Sequence, residues 1–303
     1  MADTKTWLGQ PDKWARLKRI EALDMDKDWL EIGGLTSADF LSIIFPVPFA
    51  GFMTTFAAPR MSRILASTGE LTNRVAKRAV DTILFSSTLH THGFGTPEGR
   101  KAARKVNALH AQYDIHPDDF IAVGCDPLIF TLDLFDRYGW RDLLPKEREA
   151  QRLYYDRQAR AFGSRKPLPK TEEEMRDFID NYFETQLWYE PQNQEMAEKT
   201  LDWYVELAPR PLRGLFRKIL LSTLDSRVVE ACGLKASGPV DRAISHVAMK
   251  ALASKDPVPD GRPDMLKDLV NSVYPDGYTI DDLGPKLKDP APDGAACRTQ
   301  TAA

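Results

Sequence analysis

The amino-acid sequence predicts an all-α protein. Apolar side chains recur at helical spacing along most of the chain, as at Leu17, Ile20 and Leu23, and no alternating segment is long enough for a convincing strand. Helix-start signals accompany this pattern. Thr171 followed by Glu174 has the spacing of a capping box, in which each side chain bonds the other residue's backbone N–H. These observations predict a core built from packed helices.

Composition limits the classes of protein that the chain can represent. Its 303 residues suffice for one large domain or two small ones, and the 43% hydrophobic content supports a sizeable core. Lysine and arginine number 41 against 44 acidic residues, and no dense basic block predicts a nucleic-acid partner. Three widely spaced cysteines, Cys125, Cys232 and Cys297, form no metal motif and favour a reducing compartment.

Three regions differ in composition. Residues 1–24 are polar, residues 25–256 carry the helical patterns of a domain, and residues 257–303 are rich in proline, glycine and aspartate. About the last twenty residues are predicted to be disordered. The N-terminal residues have no apolar core, which predicts no secretory signal and an intracellular location.

Helix boundaries follow from local signals. A short amphipathic helix is expected at about 11–23, and Thr36 or Ser37 is a candidate N-cap for the next helix. Thr96 before Pro97 also has the pattern of a helix start. Further helices are predicted at about 70–89, 97–113, 117–138, from 145 onward, from 171 onward, and at 192–207, 211–224 and 238–254.

Residues 40–59 contain no charged side chain and are long enough for a transmembrane helix. Pro46 and Pro48 would break a continuous span, because each removes a backbone donor and strains the preceding turn. The sequence therefore favours a buried helix–turn–helix here, with a membrane-dipping element as the alternative.

Candidate chemistry is concentrated in residues 74–120. Arg78, Asp81 and Thr82 lie on about one turn of a predicted helix, and His110 lies in the next. A neutral imidazole can bind iron through one nitrogen while a hydrogen bond fixes the other. A guanidinium and a hydroxyl can polarise or orient bound dioxygen. These residues are the components of a haem or small-ligand site.

Each of these residues also has a structural interpretation. His110 fits a core histidine that bonds a backbone carbonyl, and Arg78 and Thr82 fit an exposed arginine and an ordinary helical threonine. Asp81 is a candidate base or an ion-pair partner for Arg78. Spacing alone favours these structural interpretations.

The other histidines give weaker signals. His90 and His92 would chelate a metal only in an extended segment, because on a helix they point apart. His116, before Pro117, fits a helix start, and His246 fits a packed helix face. The sequence contains no HExxH, GxSxG, Walker or GxGxxG motif.

An ordered series of short motifs covers roughly residues 25–235. It comprises Phe45-Pro46 with the apolar helix up to Ala58-Pro59-Arg60, Ser67-Thr68-Gly69-Glu70, Lys77-Arg78-Ala79-Val80-Asp81-Thr82, Lys105-Val106-Asn107-Ala108-Leu109-His110, Tyr113-Asp114-Ile115, Asp118-Asp119-Phe120, Tyr138-Gly139-Trp140-Arg141, Pro145-Lys146-Glu147-Arg148, Leu168-Pro169-Lys170-Thr171 and Tyr189-Glu190-Pro191. The series resembles the haem-dependent oxygenases that include bacterial rubber oxygenase (latex-clearing protein) and the fungal oxygenase that shortens the farnesyl side chain in mycophenolic acid biosynthesis. It is more similar to the fungal, endoplasmic-reticulum-bound branch.

The resemblance implies a single globin-like, multi-helix domain around a haem b pocket. His110 then takes the place of the proximal iron ligand, and Arg78 and Thr82 take the places of distal-pocket residues. Asp81 stands where the rubber enzymes carry a lysine, and an acid cannot replace an ammonium donor. Asn107 stands where those enzymes carry an arginine, so that role does not transfer.

The resemblance implies a haem b-dependent oxygenase that inserts dioxygen into a hydrophobic, isoprenoid-like alkene and cleaves its C=C bond. Two alternatives remain open from the sequence. One is a haem-binding helical sensor or carrier without oxygenase activity. The other is a haem-free protein that binds lipid or a membrane surface. The expected location is cytoplasmic or peripheral to the endoplasmic reticulum membrane, and the sequence predicts no oligomeric state.

Overall fold

The computed structural model describes residues 5–261 and 265–285, and every regular element among them is a helix. This confirms the all-α prediction, while the globin-like arrangement stays a prediction. The α-helices are α1 (Ala15–Ala22), α2 (Met25–Asp39), α3 (Val47–Ala57), α4 (Pro59–Thr68), α5 (Glu70–Asn73), α6 (Val75–His92), α7 (Pro97–His110), α8 (Pro117–Tyr138), α9 (Pro145–Ala161), α10 (Glu172–Gln186), α11 (Pro191–Glu206), α12 (Arg213–Thr223), α13 (Ser226–Ala231), α14 (Pro239–Ala253) and α15 (Met265–Val273), with 3₁₀ turns at Arg210–Leu212 and Ile280–Asp282.

Local signals set several helix starts correctly. Thr96 caps α7 by accepting a hydrogen bond from the Gly99 N–H, with Pro97 as the first helical residue. Thr171 and Glu174 form the predicted capping box of α10. Proline also begins α8, α9 and α11, where its missing N–H removes no helical bond.

The core is centred on α3 and α8. Phe49, Met53 and Phe56 of α3 are fully buried, and α3 packs against α8, α11 and α13. Most of the uncharged segment at 40–59 is therefore buried, as predicted. It forms turns at 40–46 followed by α3, and not a helix–turn–helix. Pro46 and Pro48 lie at the start of α3 rather than inside it. No helix in the described part of the chain combines the length and apolarity needed to cross a membrane.

Other boundaries differ from the predictions. Thr36 and Ser37 cap no helix, because they lie in the last turns of α2, where they bond the carbonyls of Ile32 and Gly33. The helix expected at 70–89 is interrupted at Arg74, whose backbone leaves the helical region, so α5 and α6 are separate.

The helix expected at 97–113 ends at His110, so this residue lies at a helix end rather than inside a helix. Helices α2, α4, α13 and α15 had no counterpart among the predictions. The predicted disordered end of the chain and Cys297 lie outside the described residues.

A buried ion cluster joins α2 to the start of α9. The Arg141 guanidinium lies 2.8 Å from Asp39 Oδ2 and 2.8 Å from Glu147 Oε1, and all three side chains are almost fully buried. Glu147 also accepts the Leu144 N–H, which caps α9, and lies 2.9 Å from Thr36 Oγ1. Burial raises the pKa of Asp39, and the Arg141 charge opposes that rise. The cluster fixes α9 against α2.

We expect Arg141→Met to lower the free energy of unfolding by about 3–5 kcal/mol, because buried Glu147 loses its cation and buried Asp39 keeps only Arg16, at 3.7 Å. Urea denaturation followed by circular dichroism measures this loss. The control is Arg19→Met, which removes an exposed partner of Glu31 and should change stability by less than about 1 kcal/mol. Equal, small effects of both variants would contradict this role of the cluster.

Candidate functional site

His110 ends α7 with its imidazole turned toward the ends of two other helices. Its Nδ1 lies 2.8 Å from the carbonyl oxygen of Phe162, the residue that follows α9. Its ring makes an edge contact with the Phe120 ring in the first turn of α8, at a centroid distance of 5.6 Å. Since a carbonyl only accepts hydrogen bonds, Nδ1 carries the proton in this arrangement.

Asn107, one turn before His110, makes a parallel contact with α9. Its Nδ2 donates to the carbonyl of Ala161 at 2.6 Å and to that of Ala103 at 2.9 Å. The chain then turns at Gly163, whose φ of +113° disfavours a residue with a side chain. A Cβ added there would also lie only 2.8 Å from Asn107 Oδ1. Two carbonyls at the end of α9 thus hold two side chains of α7.

Arg78 and Thr82 form a second pair on α6. Arg78 Nη1 donates to Thr82 Oγ1 at 2.8 Å, and that hydroxyl donates to the Arg78 carbonyl at 2.8 Å. The threonine therefore fixes one edge of the guanidinium. Within the described residues no carboxylate lies within 4.0 Å of Arg78, in contrast to the ion-paired Arg74 one turn earlier.

The two pairs lie near each other. Burial lowers the pKa of His110, and the positive charge of Arg78 lowers it further, against the opposing effect of the bond to Phe162. Burial also lowers the pKa of Arg78. The imidazole is therefore neutral at pH 7, and Nε2 has no hydrogen-bond partner among residues 5–261 and 265–285. A neutral nitrogen with a free lone pair can bind a metal, and a partly buried guanidinium is a strong hydrogen-bond donor.

Asp81 serves a different contact. Its buried carboxylate accepts hydrogen bonds from Lys77 Nζ at 2.7 Å, Tyr274 Oη at 2.5 Å and the Gly284 N–H at 2.9 Å. The last two belong to the segment 265–285, which packs against α6 and α7. The structure therefore brings His110, Arg78 and Thr82 together, and turns Asp81 toward this C-terminal segment.

The remaining histidines form no metal site. His90 and His92 both lie on α6, where His90 contacts the Tyr154 ring and His92 is exposed. His116 is the N-cap of α8, as expected, and accepts the Asp118 N–H. His246 is exposed beside Tyr138, so the predicted packed face is wrong for this residue. The described residues contain no group of three histidine, cysteine or acidic side chains placed to hold a metal ion.

Sequence reasoning missed two residues that position this site. Asn107 carries the signal of an amide one turn before a candidate ligand, but its partner Ala161 is remote in sequence. Tyr274 carries no local signal at all. Two surface clefts of about 330 and 350 Å³ are lined by other residues, and neither includes His110, Arg78 or Thr82.

The fold and the site define a class: an all-α protein that has, between its helices, a neutral histidine and an arginine with no ion-pair partner among the described residues. Comparison with protein families then identifies the group. Residues 36–254 match the catalytic domain described as ER-bound oxygenase mpaB/B'/Rubber oxygenase. The chain belongs to this family, which confirms the resemblance seen in the motifs. The match runs from the end of α2 to the end of α14 and includes all four candidate site residues. No curated protein matches the chain.

We expect Tyr274→Phe to loosen the C-terminal segment, because Asp81 loses one of its hydrogen-bond donors while buried. The free energy of unfolding should fall by about 1–3 kcal/mol, and amide hydrogen exchange should accelerate in α6 and in 265–285. The control is Tyr278→Phe, at a tyrosine that is 40% exposed, which should change stability by less than about 0.5 kcal/mol. An unchanged rate of amide hydrogen exchange in Tyr274→Phe would show that the Tyr274–Asp81 hydrogen bond does not hold the C-terminal segment in place.

Proposed function

We propose that this protein is a haem b-dependent oxygenase that cleaves a C=C bond in a hydrophobic, isoprenoid-like alkene with dioxygen. The observation that carries the proposal is the state of His110: neutral, oriented through Nδ1, and without a described partner at Nε2. Membership of an oxygenase family supports the reaction class. Rubber, in the family's description, is an isoprenoid hydrocarbon, and this supports the substrate class.

The donor set fits a haem. Proximal haem histidines use one ring nitrogen for iron and donate the other to a carbonyl or carboxylate, which fixes the tautomer. His110 with Phe162 has this arrangement, and Asn107 holds the same helix end in place. The partly buried rings of Phe120 and Phe162 give the site an apolar border. When bound, haem iron would supply the binding and activation of dioxygen.

The chain's own residues would then act as follows. His110 holds the cofactor through Nε2, and the Phe162 carbonyl keeps the Nδ1 proton in place. Arg78 presents hydrogen-bond donors in a site where no described carboxylate competes for them, so they remain available to a polar oxygen. Thr82 uses its hydroxyl to orient Arg78 rather than to reach a ligand.

Asp81 has no place in proton transfer in this proposal. Its carboxylate is occupied by three donors, and two of them come from the C-terminal segment. It supports the helix that carries Arg78 and Thr82.

The two alternatives differ in how the structure bears on them. A haem sensor or carrier would use the same His110 and would differ only in lacking turnover. A haem-free lipid-binding protein was expected to use residues 40–59, but Phe49, Met53 and Phe56 are fully buried. That observation favours the haem site over this form of lipid binding.

We expect His110→Ala to abolish haem binding while the helical fold is retained. Protein expressed with added haem should show a Soret band that this variant loses, with the helical circular dichroism spectrum unchanged. The matched control is His92→Ala, an exposed histidine at the end of α6, which should keep the full band. A band of normal intensity in His110→Ala would exclude this residue as ligand, and a colourless parent protein would exclude the haem oxygenase.

We expect Arg78→Gln to keep haem but to lower alkene cleavage by about 10²-fold or more, because a buried charged donor is lost. Oxygen consumption and carbonyl products with squalene as probe alkene measure the turnover. Arg74→Gln is the control, since Arg74 is exposed and pairs with Glu70 one turn earlier. Equal activity of Arg78→Gln and the parent would remove Arg78 from the proposed chemistry. A parent with a Soret band and no turnover of any isoprenoid alkene would favour the sensor or carrier.

A further inference from the structure

Helix α14 exposes an apolar face to solvent. Val240, Ile244 and Val247 are 70%, 41% and 67% exposed, whereas Ser245 and Met249 of the same helix are buried. Residues at positions i, i+4 and i+7 share one face of a helix, so the three exposed side chains form a continuous stripe opposite the core. A helix that only covers a core carries polar residues on its outer face. The α14 stripe consists of Val240, Ala243, Ile244, Val247 and Ala251.

The region around the stripe is basic. Residues 209–255 contain nine lysines and arginines and three acidic residues, although the whole chain has a formal net charge of −3. The remainder of the chain is correspondingly acidic. Positive charge is thus concentrated in the part of the chain that contains α12 and α14.

Two contacts show how α12 lies beside α14. Lys218 of α12 pairs with Asp241 of α14 at 2.8 Å, and Ser222 lies 3.2 Å from Ser245. Both contacts have the same offset in sequence, so α12 and α14 lie side by side and run in the same direction. Arg217, which precedes Lys218, therefore lies at the level where the stripe begins. Its side chain is 44% exposed and pairs with Asp202 of α11 at 3.3 Å.

Lys250 is exposed on α14 itself and borders the stripe toward its C-terminal end. At the other end Arg217 and Lys218 are each in an ion pair with an acidic side chain, so cationic groups are present at both ends of the apolar face. Apolar side chains in the middle and cations at the edge are the features of a helix that lies in the plane of a membrane interface.

We propose that the α14 stripe docks on a membrane surface that contains anionic lipids. The stripe is exposed, so its insertion requires no opening of the core, and α14 is too short to span a bilayer. Anionic headgroups complement Arg217 and Lys250, and each such cation adds attraction near a charged surface. A second copy of the chain would bring the same cations against each other, and the resulting repulsion disfavours it. The surface is separate from the haem site and does not depend on the proposed function.

Vesicle sedimentation tests the proposal with the full-length protein. We expect binding to phosphatidylcholine vesicles that contain about 30% phosphatidylserine, weaker binding to pure phosphatidylcholine, and a loss of binding as salt rises from about 0.1 to about 0.5 M. Equal sedimentation with both lipids, or none with either, would overturn the proposal.

Two sets of variants separate the apolar and the electrostatic contributions. The triple substitution Val240→Ser, Ile244→Ser and Val247→Ser should weaken the partition coefficient on anionic vesicles at least about tenfold. The double substitution Arg217→Gln and Lys250→Gln should weaken it about 25-fold.

The matched control is Val123→Ser, which changes an apolar side chain of α8 that is 44% exposed and should leave the partition coefficient unchanged. All changes are at exposed positions, and circular dichroism melting curves should match the parent. Full vesicle binding by the triple variant would overturn the proposal. A dimer of the parent in light scattering that the triple variant converts to a monomer, without vesicle binding, would assign the stripe to a second copy instead.

Discussion

The candidate site depends on how helix α9 ends. Its last carbonyls have no partner within the helix, and two of them, at Ala161 and Phe162, accept hydrogen bonds from Asn107 and His110. This contact satisfies the helix end and at the same time sets the tautomer of the histidine. With Nδ1 engaged, Nε2 is the nitrogen left for a ligand. A requirement of backbone hydrogen bonding thus determines which atom of the site is available for chemistry.

The other end of α9 is fixed by charge. Glu147 in its first turn caps the helix and joins the cluster with Arg141 and Asp39, which ties α9 to α2. Buried ion pairs contribute little net stability compared with apolar packing, but their geometry tolerates few alternatives. In this protein the cluster fixes the position of α9 along its axis, and so fixes where its last carbonyls meet α7. One helix, α9, thus has the ion cluster at its start and the candidate site at its end.

The sequence predicted what depends on neighbouring residues. The start of α7 at Pro97, the capping box of α10 and the shared helix face of Arg78 and Thr82 all lie within about one turn of the chain, where geometry is nearly fixed. Contacts between distant segments were not predictable in this way. Asn107 meets a carbonyl 54 residues away, and Asp81 meets Tyr274 across 193 residues. Asp81 was grouped with Arg78 and Thr82 because it shares their turn, but two of its three partners lie in a segment whose helix had no predicted counterpart.

Asp81 also decides which cation can serve the site. Its carboxylate draws Lys77 from one turn earlier into a contact of 2.7 Å. Lys77 bonds Tyr274 and the Asp282 carbonyl as well, so two of its three hydrogen bonds go to the C-terminal segment. Asp81 and Lys77 therefore hold the chain's C-terminal segment against α6. Arg78 is then the residue on this part of α6 that offers hydrogen-bond donors to the site. Its charge lowers the pKa of His110, and Thr82 holds its guanidinium in place.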